Sequence, residues 1–139
     1  MNSPSLFHGI ISGSRRRSHD EVAERSDRIA SGLHALGVKP GDSVCMLMRN
    51  DIAFVEAAYA AMRLGAYGVP INWHFKPEEV NYVLVDSGTR VLIAHAKDDG
   101  ARRRYERFGF VSSPTDELHM ILFLKDVRNT LATIERSSI

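Results

Sequence analysis

SVCMLMRNDIAFVEAAYAAMRLGAYGVPI, residues 43–71, is the stretch that decides the fold. Its first six residues, Ser43 to Met48, run apolar without polar alternation, the pattern of a strand covered on both faces in a parallel sheet. Asn50 and Asp51 then offer side-chain oxygens to the start of a helix. That helix, Ile52–Leu64, is apolar nearly all round (Ala53, Phe54, Val55, Ala57, Ala58, Tyr59, Ala60, Ala61, Met62), so it is expected to lie deeply buried. Gly65 ends it, and Tyr67–Ile71 reads as a second strand.

Upstream, Ser18-His19-Asp20-Glu21 has the form of a capping box, a hydroxyl followed three residues later by a carboxylate. Val22, Ile29, Leu33 and Leu36 fall on one face of the helix behind it. Gly37 supplies its left-handed stop, and Lys39-Pro40-Gly41-Asp42 makes a turn. Residues 1–17, ending in Arg15-Arg16-Arg17, read as a loose lead-in with a short strand around Phe7–Ile11.

Downstream, Pro77 suits the first turn of a third helix, and Glu78 and Glu79 favour the positive end of its dipole. Gly88 closes that helix and Arg90–His95 gives a third strand. The order α-β-α-β-α-β with short connections predicts right-handed crossovers and a parallel sheet. After His95 the texture changes. Lys97–Phe108 reads as a charged helix stopped by Gly109. Phe110-Val111-Ser112 and His119–Leu124 flank a turn at Ser113-Pro114-Thr115-Asp116, an antiparallel hairpin-like unit. A last helix is expected from Asp126, with Val127, Leu131 and Ile134 on its apolar face. The expected fold class is therefore α/β: a partial parallel sheet with flanking helices, plus a C-terminal helix and an antiparallel hairpin-like tail. The parts are 1–17, 18–96 and 97–139, with a seam near residues 92–98.

Bulk properties narrow the function. A chain of 139 residues is the usual size of one domain and is long enough to bury a core. Eighteen Lys and Arg stand against seventeen Asp and Glu, a net charge of +1. That balance argues against a nucleic-acid or membrane-surface binder, both of which depend on a summed basic field. No run approaches the roughly 20 apolar residues of a membrane span, and Leu6–Ile11 makes a poor signal peptide. One cysteine, Cys45, excludes an internal disulfide and a cysteine zinc cluster. A cytoplasmic location fits that count.

Few residues advertise chemistry. A phosphate cradle needs glycine or small hydroxyl residues so that backbone N–H groups converge on the anion. The loops after the first two strands, Arg49-Asn50-Asp51 and Asn72-Trp73-His74-Phe75-Lys76, have none, and read as simple connections. The six histidines (8, 19, 34, 74, 95 and 119) are scattered, with no pair at a metal-ligand spacing within one helix. Cys45, inside a buried strand, reads as a small hydrophobe rather than a nucleophile. Arg15–Arg17 and Arg102–Arg104 read as solvated basic faces. Trp73, His74 and Phe75 read as packing at the sheet edge, with a pocket wall as the alternative. Tyr105 is the one catalytic candidate: a phenol of pKa about 10 is suited to protonating a leaving thiolate. Its plainer reading is a half-buried tyrosine packed on the hairpin.

The segment Ser18–Ala96 resembles the beginning of AMP-forming acyl-CoA synthetases of the adenylate-forming ligase superfamily. The matching blocks are residues 21–30 (EVAERSDRIA), 36–44 (LGVKPGDSV), 54–66 (FVEAAYAAMRLGA) and 69–72 (VPIN), continued by Pro77-Glu78-Glu79 and residues 86–93. The resemblance implies a fold-supporting segment that precedes the chemistry. The family's Ser/Thr/Gly-rich phosphate loop, its aromatic-Gly-x-Thr-Glu motif, its ribose-binding aspartate and its C-terminal lysine are not among these residues. ATP and CoA are thus implied by resemblance only, and no cofactor is expected to bind tightly. From about Leu92 the chain instead resembles the end of a GNAT-type N-acetyltransferase, through residues 96–110, 113–116 and 120–125. There Tyr105 matches the family tyrosine proposed to protonate the CoA thiolate, although Arg104 stands where an aromatic residue is usual. The acetyl-CoA pyrophosphate loop is missing. Residues 90–96 suit either pattern.

The first expectation is a truncated synthetase segment fused to an acetyltransferase-like tail and not catalytic on its own. A second is an enzyme, either a CoA-dependent N-acetyltransferase acting through Tyr105 or half of a synthetase completed by a partner chain. A third is a non-catalytic module that binds a full-length synthetase. The tail, lacking its native sheet partners, is expected to pack loosely and to leave residues 120–124 as an exposed edge.

Overall fold

The computed structural model describes residues 6–124. Where the sequence reads as a loose lead-in, β1 (Gly9–Ser12) and β2 (Arg15–Ser18) form an antiparallel ribbon, with Ser12 opposite Arg15. Its two-residue turn opens on Gly13 at φ +60, a conformation that glycine adopts without a side-chain clash. Ser18 is the N-cap of α1 (His19–Ala35): the Glu21 N–H donates to Ser18 Oγ at 3.1 Å, and the Ser18 hydroxyl donates to Glu21 Oε1 at 3.2 Å in place of the backbone half of a capping box. Val22, Ile29 and Leu33 form its buried face.

The repeat then proceeds through β3 (Ser43–Leu47), α2 (Ile52–Arg63), β4 (Tyr67–Pro70), α3 (Pro77–Asp86) and β5 (Val91–His95). β4 and β5 both pair parallel to β3, one on each side. Asp51 caps α2 by accepting from the Ala53 N–H at 2.8 Å. The helix is less enclosed than its composition predicts. Ala57, Ala60 and Ala61 are buried, but Tyr59 and Met62 face outward, Met62 at 69% exposure. α1 covers part of α2 and the sheet covers another part, which leaves this third flank open.

The tail departs most from expectation. After α4 (Asp99–Arg107), β6 (Val111–Ser112) and β7 (His119–Phe123) do form the antiparallel pair. However, β7 also pairs antiparallel with β5, from Val91 opposite Phe123 to His95 opposite His119. The five-stranded order is β4-β3-β5-β7-β6, so residues 119–123 lie inside the sheet, and the edge is the two-residue β6. Met120, Ile121, Leu122 and Leu124 are each at most 5% exposed. The tail turn is also tied to α1, because Arg28 Nη2 donates to the Pro114 carbonyl at 2.7 Å. Among the described residues, neither an exposed edge at 120–124 nor a loosely packed tail is therefore observed. The expectation missed β5, whose free edge offered a ladder that the apolar tail strand fills. The helix expected from Asp126 lies outside the described residues.

Two apolar layers sandwich this sheet. Val44, Met46, Val91, Ile93 and Ile121 pack toward α1 and α2. Their alternates Cys45, Leu92, Ala94, Met120 and Leu122 pack toward Leu84 of α3 and the apolar side of α4. This is the period-2 division of a sheet covered on both faces. Cys45 is fully buried, as expected of a small hydrophobe.

Candidate functional site

The strand order creates a switch point. From β3 the chain turns through α2 on one face of the sheet toward β4; from β5 it turns through α4 on the other face toward β6 and β7. Connections that part in opposite directions leave a crevice outside the C-terminal ends of the two strands, the usual ligand position in open α/β sheets. Here that crevice is a cavity of about 390 Å³. Leu47 and Arg49 reach it from the end of β3, and Ala94, His95 and Lys97 from the end of β5. Trp73 closes one side from the loop after β4, and Tyr105 another from α4. The Arg49 guanidinium lies over the Trp73 ring, 4.8 Å from its centroid, a cation–π contact that orients the side chain.

Tyr105, the sequence's catalytic candidate, is thus on the wall of this cavity and half-buried, its ring 5.0 Å from that of Phe110. Of the loop aromatics, Trp73 is a pocket wall rather than edge packing, and it remains 44% exposed. Arg49 and Lys97 join the site without a motif to mark them. Each stands just past the end of an apolar strand run, and the strand-end rule for parallel sheets would have found both.

A second cavity of about 260 Å³ shares Arg49 and His95 and adds Arg15, Asp51, Asp116 and His119. The β5–β7 register sets His95 opposite His119, with ring centroids 5.0 Å apart, a juxtaposition hidden in sequence by the intervening residues. Burial and the neighbouring His95 push the His119 imidazole below its ordinary pKa, against the opposing pull of Asp116. Asp51 is partly buried, which would raise its pKa. The Ala53 N–H and Arg15, whose guanidinium is 2.8 Å away, outweigh that effect and hold the carboxyl below its usual value. Among the described residues, no group of three or more His, Cys, Asp or Glu is placed to hold a metal ion.

The helix N-termini that follow the parallel strands are already occupied by the chain itself. Asp51 caps α2, and Asp98 caps α4 by accepting from the Ala101 N–H at 2.8 Å. α3 begins with Pro77, which has no N–H to offer, followed by Glu78 and Glu79. None of the three presents a free, uncharged turn to a phosphate.

Comparison with known proteins decides the family. A model of the AMP-binding enzymes matches residues 3–132, most of the chain. The chain belongs to the AMP-binding enzyme family. It is 40% identical over 81 residues to a feruloyl-CoA synthase from Amycolatopsis sp., which covers 58% of this chain and 16% of that protein. Among solved structures, a Mycobacterium tuberculosis fatty acyl CoA synthetase is similar with a TM-score of 0.54 and 38% identity, over 56% of this chain and 16% of the other. The O-succinylbenzoate coenzyme A synthetase of Bacillus subtilis, solved with AMP, gives a TM-score of 0.58 at 29% identity, covering 62% of this chain and 23% of the other. This AMP-binding family member therefore matches about a sixth of the length of the feruloyl-CoA synthase and of a comparable Mycobacterium tuberculosis long-chain-fatty-acid–CoA ligase. Among the described residues, no helix is long and apolar enough to cross a membrane.

Proposed function

We propose that residues 1–139 provide the sheet scaffold of a carboxylate–CoA ligase and do not themselves carry out its chemistry. The observation that carries this reading is the self-capping of the helices that follow β3, β4 and β5. Adenylation builds negative charge at the α-phosphate, and stabilising it requires backbone and cationic donors aimed at that charge. At each of these helix starts a carboxylate or a proline stands where such donors would be needed. ATP and CoA, the substrates that the ligase resemblance implies, would then meet their catalytic groups outside this segment, in a further part of the protein or in a partner chain.

The same proposal takes the acetyltransferase-like tail as a structural element that closes the sheet. Two observations bear on its origin. The family match runs to residue 132, whereas two of the relatives align over only 78 and 81 residues, an extent comparable with Ser18–Ala96. The family match continues across the seam, and β7 takes up the ladder of β5, so the tail is read by its structural role in the sheet. Tyr105 then serves as a wall residue packed on Phe110 rather than as the acid of an acetyl transfer.

Pyrophosphate release by the purified chain, given ATP, Mg²⁺ and a panel of aromatic and fatty carboxylates, tests the reading. The expected result is no release above the protein-free rate. Carboxylate-dependent release would overturn it.

A further inference from the structure

The cavity at the switch point is basic as well as concave. Among the described residues, two permanent cations, Arg49 and Lys97, line it, and no carboxylate does. Among the described residues, neither cation takes part in an ion pair. The nearby carboxylates are engaged elsewhere: Asp51 with Arg15 and the Ala53 N–H, Asp98 with the Ala101 N–H, and Asp116 with the Leu118 N–H at 2.9 Å.

We propose that this cavity binds a phosphate dianion, carried on a small organic body or free, through Arg49, Lys97 and the Tyr105 hydroxyl. Two fixed positive charges match the double charge of a phosphate monoester, where a carboxylate would leave one unbalanced. The Arg49 guanidinium, held over Trp73, keeps its fork of donors available for two phosphate oxygens. Leu47 and Ala94 add apolar lining beside the two charges, a surface suited to the organic body of a monoester. Its volume lies within the range of small-molecule pockets and exceeds what a bare phosphate fills. The anion is held by side chains, so the self-capped helix starts do not compete. The inference is independent of whether the chain completes a ligase.

Titration of the ¹⁵N-labelled full chain tests it, with inorganic phosphate, phenyl phosphate and benzoate as probes at constant ionic strength and slightly alkaline pH. Phenyl phosphate should give saturable shifts at the Trp73 indole and at the amides of Arg49 and Lys97. Benzoate should bind about tenfold more weakly, as expected when one charge-assisted contact is lost. Inorganic phosphate that matches phenyl phosphate would identify the free anion as the ligand, and weaker inorganic phosphate would identify the monoester. Arg49→Gln and Lys97→Gln should each weaken binding about tenfold, while Arg103→Gln, the same charge change at an exposed position of α4, should leave it unchanged. Both cleft positions are exposed, and the amide spectrum of each variant reports its fold directly; Lys97→Gln decides the matter if Arg49→Gln perturbs the loop. Non-saturating shifts, benzoate as tight as phenyl phosphate, or equal losses in the control would overturn the proposal.

Discussion

Glu56 shows how one residue in the apolar helix α2 organises its surroundings. Its side chain is 1% exposed, and both carboxylate oxygens accept from Arg25 Nε, at 3.0 and 2.9 Å. Arg17 of the N-terminal ribbon approaches the same carboxylate at 3.3 Å. A buried anion is tolerable only with such partners, and here they come from β2 and α1. Glu56→Gln should destabilise the chain by about 2–4 kcal/mol, somewhat below the full cost of orphaning a buried ion because both arginines keep some contact with water. The midpoint of urea unfolding reads this directly. His119 makes a second prediction. Its imidazole titrates lower in the folded chain than in the unfolded one, so the unfolded state binds more protons in the window below the ordinary histidine pKa of about 6.5. Stability should fall as pH drops through that window, and it should fall less in His119→Gln. Asp51 is also depressed, but its contribution disappears only at lower pH, below the ordinary carboxyl range, so the two effects separate along the pH axis.

At the scale of elements, the caps and strand runs were legible because they are local. Ser18, Asp51 and Pro77 mark the helix starts that the structure shows, and the runs at 43–48 and 90–95 contain the strands Ser43–Leu47 and Val91–His95. The tail's helix and antiparallel strand pair are legible in its residues, whereas the burial of 120–124 is not, because strand pairing across the seam is not a local property. An apolar tail strand read alone cannot reveal which edge it will join, whereas the register of β5 with β7 buries both. The cavity was illegible for the same reason. Arg49, Trp73 and the nearby pair Lys97 and Tyr105 come from separate parts of the sequence and meet because β3 and β5 are neighbours. The element-level consequence is measurable. Leu122→Ala in β7 should cost about 2–5 kcal/mol, as for a buried core leucine, whereas Val111→Ala on the exposed β6 edge should cost well under half of that. Comparable small losses for both would place β7 back at the surface.

For the whole molecule, the AMP-binding scaffold and the described part of the tail form one packed sheet. The core supports this from both faces. Ile121 of the tail belongs to the cluster with Leu33, Val44 and Ala60, and Met120 and Leu122 to the cluster with Cys45 and Leu84. A tail that merely rested on the surface would share neither. Native-state hydrogen exchange tests this most directly. The amides of residues 120–123 should exchange as slowly as those of β3 and β5, with protection that disappears together in denaturant. Rapid exchange across 120–123 beside a protected β3–β5 core would contradict the account, because it would mean that the tail does not complete the sheet.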